Sequence, residues 1–322
     1  MHIPDGFLDA KTAITAGVLA AAAVAVAARH ARERLAPRRV PLLGLAAAFV
    51  FAAQMINFPV AGGTSGHLVG AVLVAVLLGP SAAVVVIASV LVVQCLMFAD
   101  GGLSALGANI LNMAVVGGAG GWTIYHAVSR VVKGLFGRVL AAAFAAWCST
   151  VLAAVLCAGE LATSGTVRWS VALPAMAGVH MLIGVGEGLI TALVLAAIAR
   201  TRPELFRPDA ASDAARLDRA VAAYAGLIAL GLALFVSPLA SRWPDGLDRT
   251  AELLGFKAKA TAPPFAAPIA EYAMPGVRSA VLATSLAGAA GTVVAFVLAW
   301  WLARALVARR GDAEPRRPSG PG

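Results

Sequence analysis

The sequence predicts an all-α, polytopic membrane protein with about nine transmembrane helices, and three observations predict it. Apolar residues fill 60% of the 322 positions and charged residues only 13%, against about 45–50% and about 25% in soluble domains. The mean hydropathy is +0.86. The charges lie between long apolar stretches, and a stretch of about 20 apolar residues crosses a bilayer core about 30 Å thick, because each helical residue rises about 1.5 Å. An ordinary globular enzyme is excluded. The net charge of +9 does not point to nucleic acid, since the basic residues punctuate apolar spans instead of lining one face.

The apolar spans fall near 12–28, 40–58, 67–79, 81–99, 105–131, 137–161, 171–199, 219–237 and 279–303. The third is short, because Gly79-Pro80 ends it. A hydrophilic stretch, 238–278, separates the last two. Residues 1–202 therefore read as a membrane domain of about seven helices, and 203–322 as a second domain of two helices with an outer loop. With the N-terminus outside, the inner segments hold Arg29, Arg32, Arg34, Arg38 and Arg39; Arg130, Lys133 and Arg138; Arg200, Arg202, Arg207, Arg216 and Arg219; and Arg304, Arg309, Arg310, Arg316 and Arg317. Only seven of the 25 basic residues are left for the outer side. Cytoplasmic loops carry such an excess of Lys and Arg, so the pattern predicts a multi-pass inner-membrane protein of this orientation. Gly117, Gly118, Gly120, Gly121, Gly184, Gly186 and Gly188 permit close helix–helix approach, the main packing device in lipid. Cys95, Cys148 and Cys157 all lie in apolar runs and form neither a disulfide framework nor a CxxC motif.

The sharpest chemical feature is the opening Met1-His2-Ile3-Pro4-Asp5-Gly6. It lacks the basic stretch that precedes a cleavable signal, and His2 is too large for removal of Met1. Met1 is therefore expected to begin the working chain. A free amine followed by histidine is a chelator: the α-amine, the His2 backbone nitrogen and His2 Nδ1 close fused rings around one ion. Planar nitrogen coordination suits Ni²⁺ or Cu²⁺ better than Zn²⁺ or Mg²⁺. His67 is the leading fourth ligand. It ends the glycine-rich stretch Asn57-Phe58-Pro59-Val60-Ala61-Gly62-Gly63-Thr64-Ser65-Gly66, expected on the same side as Met1. That stretch reads as a re-entrant loop near 58–67, a path tolerated at membrane depth only around a protein-lined cavity. Taken singly, His2 reads as a surface residue and His67 as a solvated helix start; on one side of the membrane they point to a metal.

Other polar groups lie within the apolar spans. His180 and Glu187 are seven residues apart and share one helix face, and Glu187 is counted as the one membrane-embedded carboxylate, a functional candidate by position. Asn57, Gln54, Gln94, Asn109, Asn112 and Ser65 are candidates for a supporting shell or for interhelical hydrogen bonds. His30 and His126 read as solvated or interfacial.

Met1-His2-Ile3-Pro4-Asp5-Gly6-Phe7-Leu8 resembles the opening of the CbiM/NikM family, the substrate-binding membrane subunits of energy-coupling factor (ECF) transporters for cobalt and nickel. The likeness runs on through Gln54-Met55-Ile56-Asn57-Phe58-Pro59, Gly62-Gly63-Thr64-Ser65-Gly66-His67-Leu68, Phe98-Ala99-Asp100-Gly101-Gly102-Leu103, Ala105-Leu106-Gly107-Ala108-Asn109 and the segment from His180 to Thr191. It spans roughly residues 1–200. The resemblance implies metal ligands at Met1, His2 and His67. Residues 203–322 resemble the NikN-like or PDGLE domain often fused to such a subunit. Its landmark here is Pro244-Asp245-Gly246-Leu247-Asp248, with Asp248 where the family usually has Glu. The resemblance implies a non-enzymatic transport subunit with Ni²⁺ or Co²⁺ as cargo and no organic cofactor. Its partners would be a CbiQ/NikQ-like coupling subunit, CbiO/NikO-like ATPases and membrane lipid. No Walker A sequence occurs in the chain. Nickel is favoured as the cargo; the alternative is import of cobalt, for cobalamin synthesis. The rivals are a self-sufficient proton-coupled metal carrier, which internal repeats would favour, and a membrane hydrolase, which needs an open coordination position on its metal.

Overall fold

The computed structural model describes residues 1–202 and 219–311. The boundary expected at 202/203 and the basic residues Arg207, Arg216, Arg316 and Arg317 lie outside the described residues. The chain is a bundle of helices with one small hairpin. Six helices among the described residues are long and apolar enough to cross a membrane, so this is a multi-pass membrane protein.

Helix α1 (Ala10–Arg34) starts where the Asp9 side chain accepts from Thr12 N, the standard way to satisfy an orphan donor. It turns Ile14, Val18, Leu19 and Val26 outward, as a lipid-facing helix does. Helix α2 (Val40–Gln54) is only 15 residues long. The expected span ran to 58, but the residue before a proline avoids helical dihedrals, and Phe58-Pro59 instead begins a strand. Strands β1 (Phe58–Val60) and β2 (Thr64–Gly66) pair antiparallel, Phe58 opposite Gly66 and Val60 opposite Thr64. Gly62 and Gly63, at φ +83° and +72°, make the turn that residues with a Cβ resist. The expected loop at 58–67 is thus a β-hairpin.

Helix α3 (Ala71–Leu78) and helix α4 (Pro80–Phe98) are joined at Gly79. Helix α4 is the most buried spanning helix, 78% of its apolar window lying inside the protein. The span expected over 105–131 is a composite: α5 (Leu106–Asn109), a π-helical stretch Ile110–Gly120 and α6 (Gly121–Val131). Helices α7 (Gly134–Thr163) and α8 (Trp169–Thr201) form the longest antiparallel pair. They approach closely because a Cβ at Gly184 or Gly188 would meet Trp147 or the Ala143 carbonyl.

The C-terminal part contributes α9 (Arg219–Gly231), α10 (Gly246–Leu253) and α11 (Ala280–Gly311). Helix α11 packs along α2 and α4, and Gly291 leaves room for the rings of Phe51 and Phe98. The stretch expected as a hydrophilic loop, 238–278, is folded against the bundle. Asp245 caps α10 by accepting from Asp248 N at 2.8 Å. Farther on, Thr261 N donates to Asp5 O at 2.9 Å and Ile269 N to Met97 O at 2.9 Å. This segment therefore covers the bundle end into which Met1 is inserted.

Candidate metal centre

The N-terminal strand is built into the protein rather than draped over it. Met1, Ile3 and Phe7 are buried. Asn109 holds Ile3 from both sides, accepting from its N–H at 2.8 Å and donating to its carbonyl at 3.1 Å. Gly102 N donates to the same carbonyl at 2.8 Å. The Asp5 carboxylate accepts from Leu103 N, Ser104 N and the Ser104 hydroxyl. A Cβ on Gly102 would collide with the Pro4–Asp5 backbone, so a glycine there lets the two strands of backbone touch. Thr166 donates its hydroxyl to the Phe7 carbonyl.

These contacts deliver the Met1 amine between two groups. It stands 3.0 Å from His67 Nε2 and 2.9 Å from Asp245 Oδ2. His67 Nδ1 lies 3.2 Å from the Leu68 carbonyl. A carbonyl only accepts, so Nδ1 carries the proton and the Nε2 lone pair faces the amine. The His2 and His67 rings stack, with centroids 5.3 Å apart and planes 16° apart. His2 Nδ1 sits 3.1 Å from Asp100 Oδ1, and Nε2 sits 3.2 Å from Gln94 Oε1. Behind these contacts Gln94 donates to Gln54 Oε1 at 2.8 Å and Gln54 donates to the Val69 carbonyl at 2.9 Å. Tyr272 donates its hydroxyl to Asp100 at 2.6 Å.

The electrostatics follow from burial. Desolvation lowers the pKa of His2, against the raising pull of Asp100. It lowers His67 well below the ordinary imidazole value, helped by the Met1 amine and by His2. His67 thus favours the neutral form that a metal needs, while at His2 burial pushes the same way against two oxygen partners, Asp100 and Gln94, that favour the protonated ring. Burial works against the Asp245 charge, but the Met1 amine and the Asp248 N–H outweigh it and hold the carboxyl well below the usual range. A polar cavity of about 530 Å³ opens beside the site, bordered by His2, Asn57, His67, Asp100, Asp245 and Tyr272. Among the described residues no three His, Cys, Asp or Glu side chains form a metal cage; the nitrogen donors present are the Met1 amine, main-chain nitrogen and imidazole, with the Asp100 and Asp245 carboxylates beside them.

Met1, His2 and His67 are therefore brought together. Asn109 supports them through Ile3. Ser65 fixes the hairpin to the C-terminal part: its N–H donates to Pro244 O at 2.8 Å and its hydroxyl to Trp243 O at 2.7 Å. Asn57 acts there through its carbonyl, which accepts from Ser241 N at 2.8 Å. Glu187 accepts from Val69 N at 2.6 Å and Gly70 N at 2.9 Å, anchoring the residues that follow His67. His180 donates Nδ1–H to the Met176 carbonyl at 2.8 Å and packs on Gly246, where a Cβ would come within 2.7 Å of its ring. The two residues on that helix face thus have different partners. Two site residues were given no role from sequence, Asp245 and Asp100, and Gln94 was given only a supporting one. The first two stand inside recognised motifs and the third was one of several polar residues in a span; nothing local to them says that they meet His2 or Met1. The count of one membrane-embedded carboxylate is also corrected, because Glu160 of α7 is buried as well. It lies in the last turn before a span end, where a carboxylate is easily taken for a solvated one.

The chain is similar to known proteins along most of its length. The CbiM family, described as a cobalt uptake substrate-specific transmembrane region, matches residues 2–205. The PDGLE domain family matches 219–308. The chain is 37% identical over 306 residues to a putative fused nickel transport protein NikMN of Archaeoglobus fulgidus, covering 94% of this chain and 98% of that one. It is 33% identical over 268 residues to the cobalt transport protein CbiM of Geobacter sulfurreducens, covering 78% and 76%. A crystal structure of a truncated transition metal transporter superposes with a TM-score of 0.57 at 32% identity, covering 62% of this chain and 99% of that one.

Proposed function

Because the chain belongs to the CbiM family of cobalt and nickel transporters and carries a PDGLE domain, we propose that it is the substrate-capture subunit of an ECF-type importer of Ni²⁺, with Co²⁺ the second candidate. Residues 1–202 form its metal-binding membrane domain on this reading, and 203–322 its second domain, whose stretch from Ser241 to Ile269 packs over the site. One observation carries the ligand assignment: the Met1 amine and His67 Nε2 are 3.0 Å apart, with the imidazole lone pair facing the amine. Metal–nitrogen bonds of about 2.0–2.1 Å put two cis donors of a square plane about 2.9 Å apart. The metal-free spacing thus supports the amine and His67 as neighbouring ligands. His2 supplies its backbone nitrogen and Nδ1 to complete the plane. To do so the ring leaves Asp100 and Gln94, and the amine leaves Asp245. The protons released pass to the water of the adjoining cavity.

The cargo needs no chemistry from this chain, so energy comes from elsewhere: a CbiQ/NikQ-like coupling subunit and two CbiO/NikO-like ATPases. The test is ⁶³Ni²⁺ uptake by cells carrying this chain with and without those partners, with unlabelled Co²⁺ as competitor. Uptake that depends on the partner ATPases and is displaced weakly by Co²⁺ is expected. Full uptake by this chain alone would support the self-sufficient carrier instead, and equal displacement would remove the nickel preference.

A further inference from the structure

Two carboxylates are buried on the spanning helices among the described residues, and they differ in one respect. Glu187 has both oxygens met by backbone N–H groups. Glu160 does not. Its Oε2 accepts from Asn112 Nδ2 at 2.7 Å, while its Oε1 has no hydrogen-bond partner and neither has the Oδ1 of the same Asn112. Both residues are more than nine-tenths buried, beside Met113, Ala114, Cys157, Ala158 and Leu161, which are buried too. Two bare acceptors in such surroundings are unfavourable, and native proteins seldom leave them so.

One proton satisfies both. A carboxylic acid opposite a carboxamide donates O–H to the amide oxygen while accepting N–H in return. A metal ion fits poorly, since hard cations take six or more oxygens and this pair offers two. We propose that Glu160 and Asn112 form a proton-binding site, in which Glu160 is protonated and clasps α7 to the π-helical stretch Ile110–Gly120. The proton is exchanged with water and no other bond changes.

The clasp joins the two elements that hold the N-terminal strand. Asn109, one turn before Asn112, grips Ile3. Just past the end of α7, Thr166 grips Phe7 and Ser164 reaches Asp9. Loss of the proton places a charge in an apolar site, opens the clasp and loosens the strand that bears Met1 and His2. The titratable groups around this end of α7 are Cys157 on the same helix, the Met1 amine, Asp9, Asp245 capping α10, His180 on α8 and Lys259, whose ammonium donates to the Gly165 and Thr166 carbonyls; none of them hydrogen-bonds Glu160.

Infrared difference spectra of the full detergent-solubilised chain, taken between about pH 5 and about pH 9, test the site. The wild type should show the C=O stretch of a protonated carboxylic acid that Glu160→Gln lacks. Glu160→Gln preserves the clasp as an amide–amide pair, so its Ni²⁺ affinity by calorimetry should stay within about twofold of wild type. An unchanged spectrum in Glu160→Gln overturns the proposal, because the carboxylate is then ionised and a water or ion lies between the oxygens. A folded Glu160→Gln that binds Ni²⁺ more than about tenfold more weakly overturns it too. Asn112→Asp keeps the site testable if Glu160→Gln misfolds: the acid band must shift, and an unshifted band refutes the pairing. The calorimetric arm rests on the proposed ligand set and the infrared arm does not, so the two can fail separately.

Discussion

Inserting one glycine between Met1 and His2 should cripple metal binding while leaving both histidines in the chain. The added residue pushes the amine about 3.8 Å along the backbone, farther than its present 3.0 Å distance from His67 Nε2. The nitrogen now preceding His2 belongs to a peptide bond, and its lone pair is drawn into amide resonance. Unless a second amide is also deprotonated, which is costly in this buried strand, the site falls from four available nitrogens to three and loses one chelate ring. Four-ligand sites bind with about 10–16 kcal/mol in total, so one ligand corresponds to about 3 kcal/mol, or an affinity loss on the order of 100-fold. Nothing around the strand absorbs the insertion, since Met1 and Ile3 are buried and Ile3 is held on both sides by Asn109. The assay is calorimetric Ni²⁺ titration of the purified protein carrying its tag at the C-terminus, with mass spectrometry of the N-terminus. A Kd within about threefold of wild type would show that the amine is a bystander.

Three further outcomes are expected. His67→Ala should abolish high-affinity Ni²⁺ binding yet leave the far-UV circular dichroism unchanged; retained affinity would remove His67 from the ligand set. Glu187→Gln can accept only one of the two N–H bonds from Val69 and Gly70 and opposes the other with its own donor, at a cost of about 1–3 kcal/mol. It should lower the melting temperature and weaken Ni²⁺ binding by about 5- to 100-fold, and a melting curve superposable on wild type would contradict the anchoring role. A cysteine placed at Ser241 should react with an impermeant thiol reagent from the outside of intact cells; labelling only after lysis would invert the orientation read from the basic residues.

The parts of this site that were legible in the sequence are those whose chemistry is local. An amine, a backbone nitrogen and an imidazole within two residues form a chelate whatever surrounds them, so Met1 and His2 stand out unaided. His67 stands out because the glycines before it announce an irregular path. Helix existence was legible from apolar runs, but helix ends were not always: α2 stops at Gln54 because Phe58-Pro59 feeds a strand, and the 105–131 span changes its hydrogen-bond spacing midway. Asp245, Asp100 and Gln94 acquire their roles only when distant segments meet. The loop 238–278 illustrates the limit best. Its polarity reads as exposure to water, whereas its backbone hydrogen-bonds to Asn57, Asp5 and Met97.

The bond from the Thr64 hydroxyl to the Pro244 carbonyl joins residues 180 positions apart. During synthesis at about 5–20 residues per second, roughly 10–40 s separate the emergence of the hairpin from that of its partner. For that interval the nascent chain holds Met1, His2 and His67 without Asp245 beside them. Asp245 therefore joins the Met1 amine late, after α1 to α9 have been made but before α11, and a ribosome stalled before residue 244 would leave that amine without its carboxylate partner.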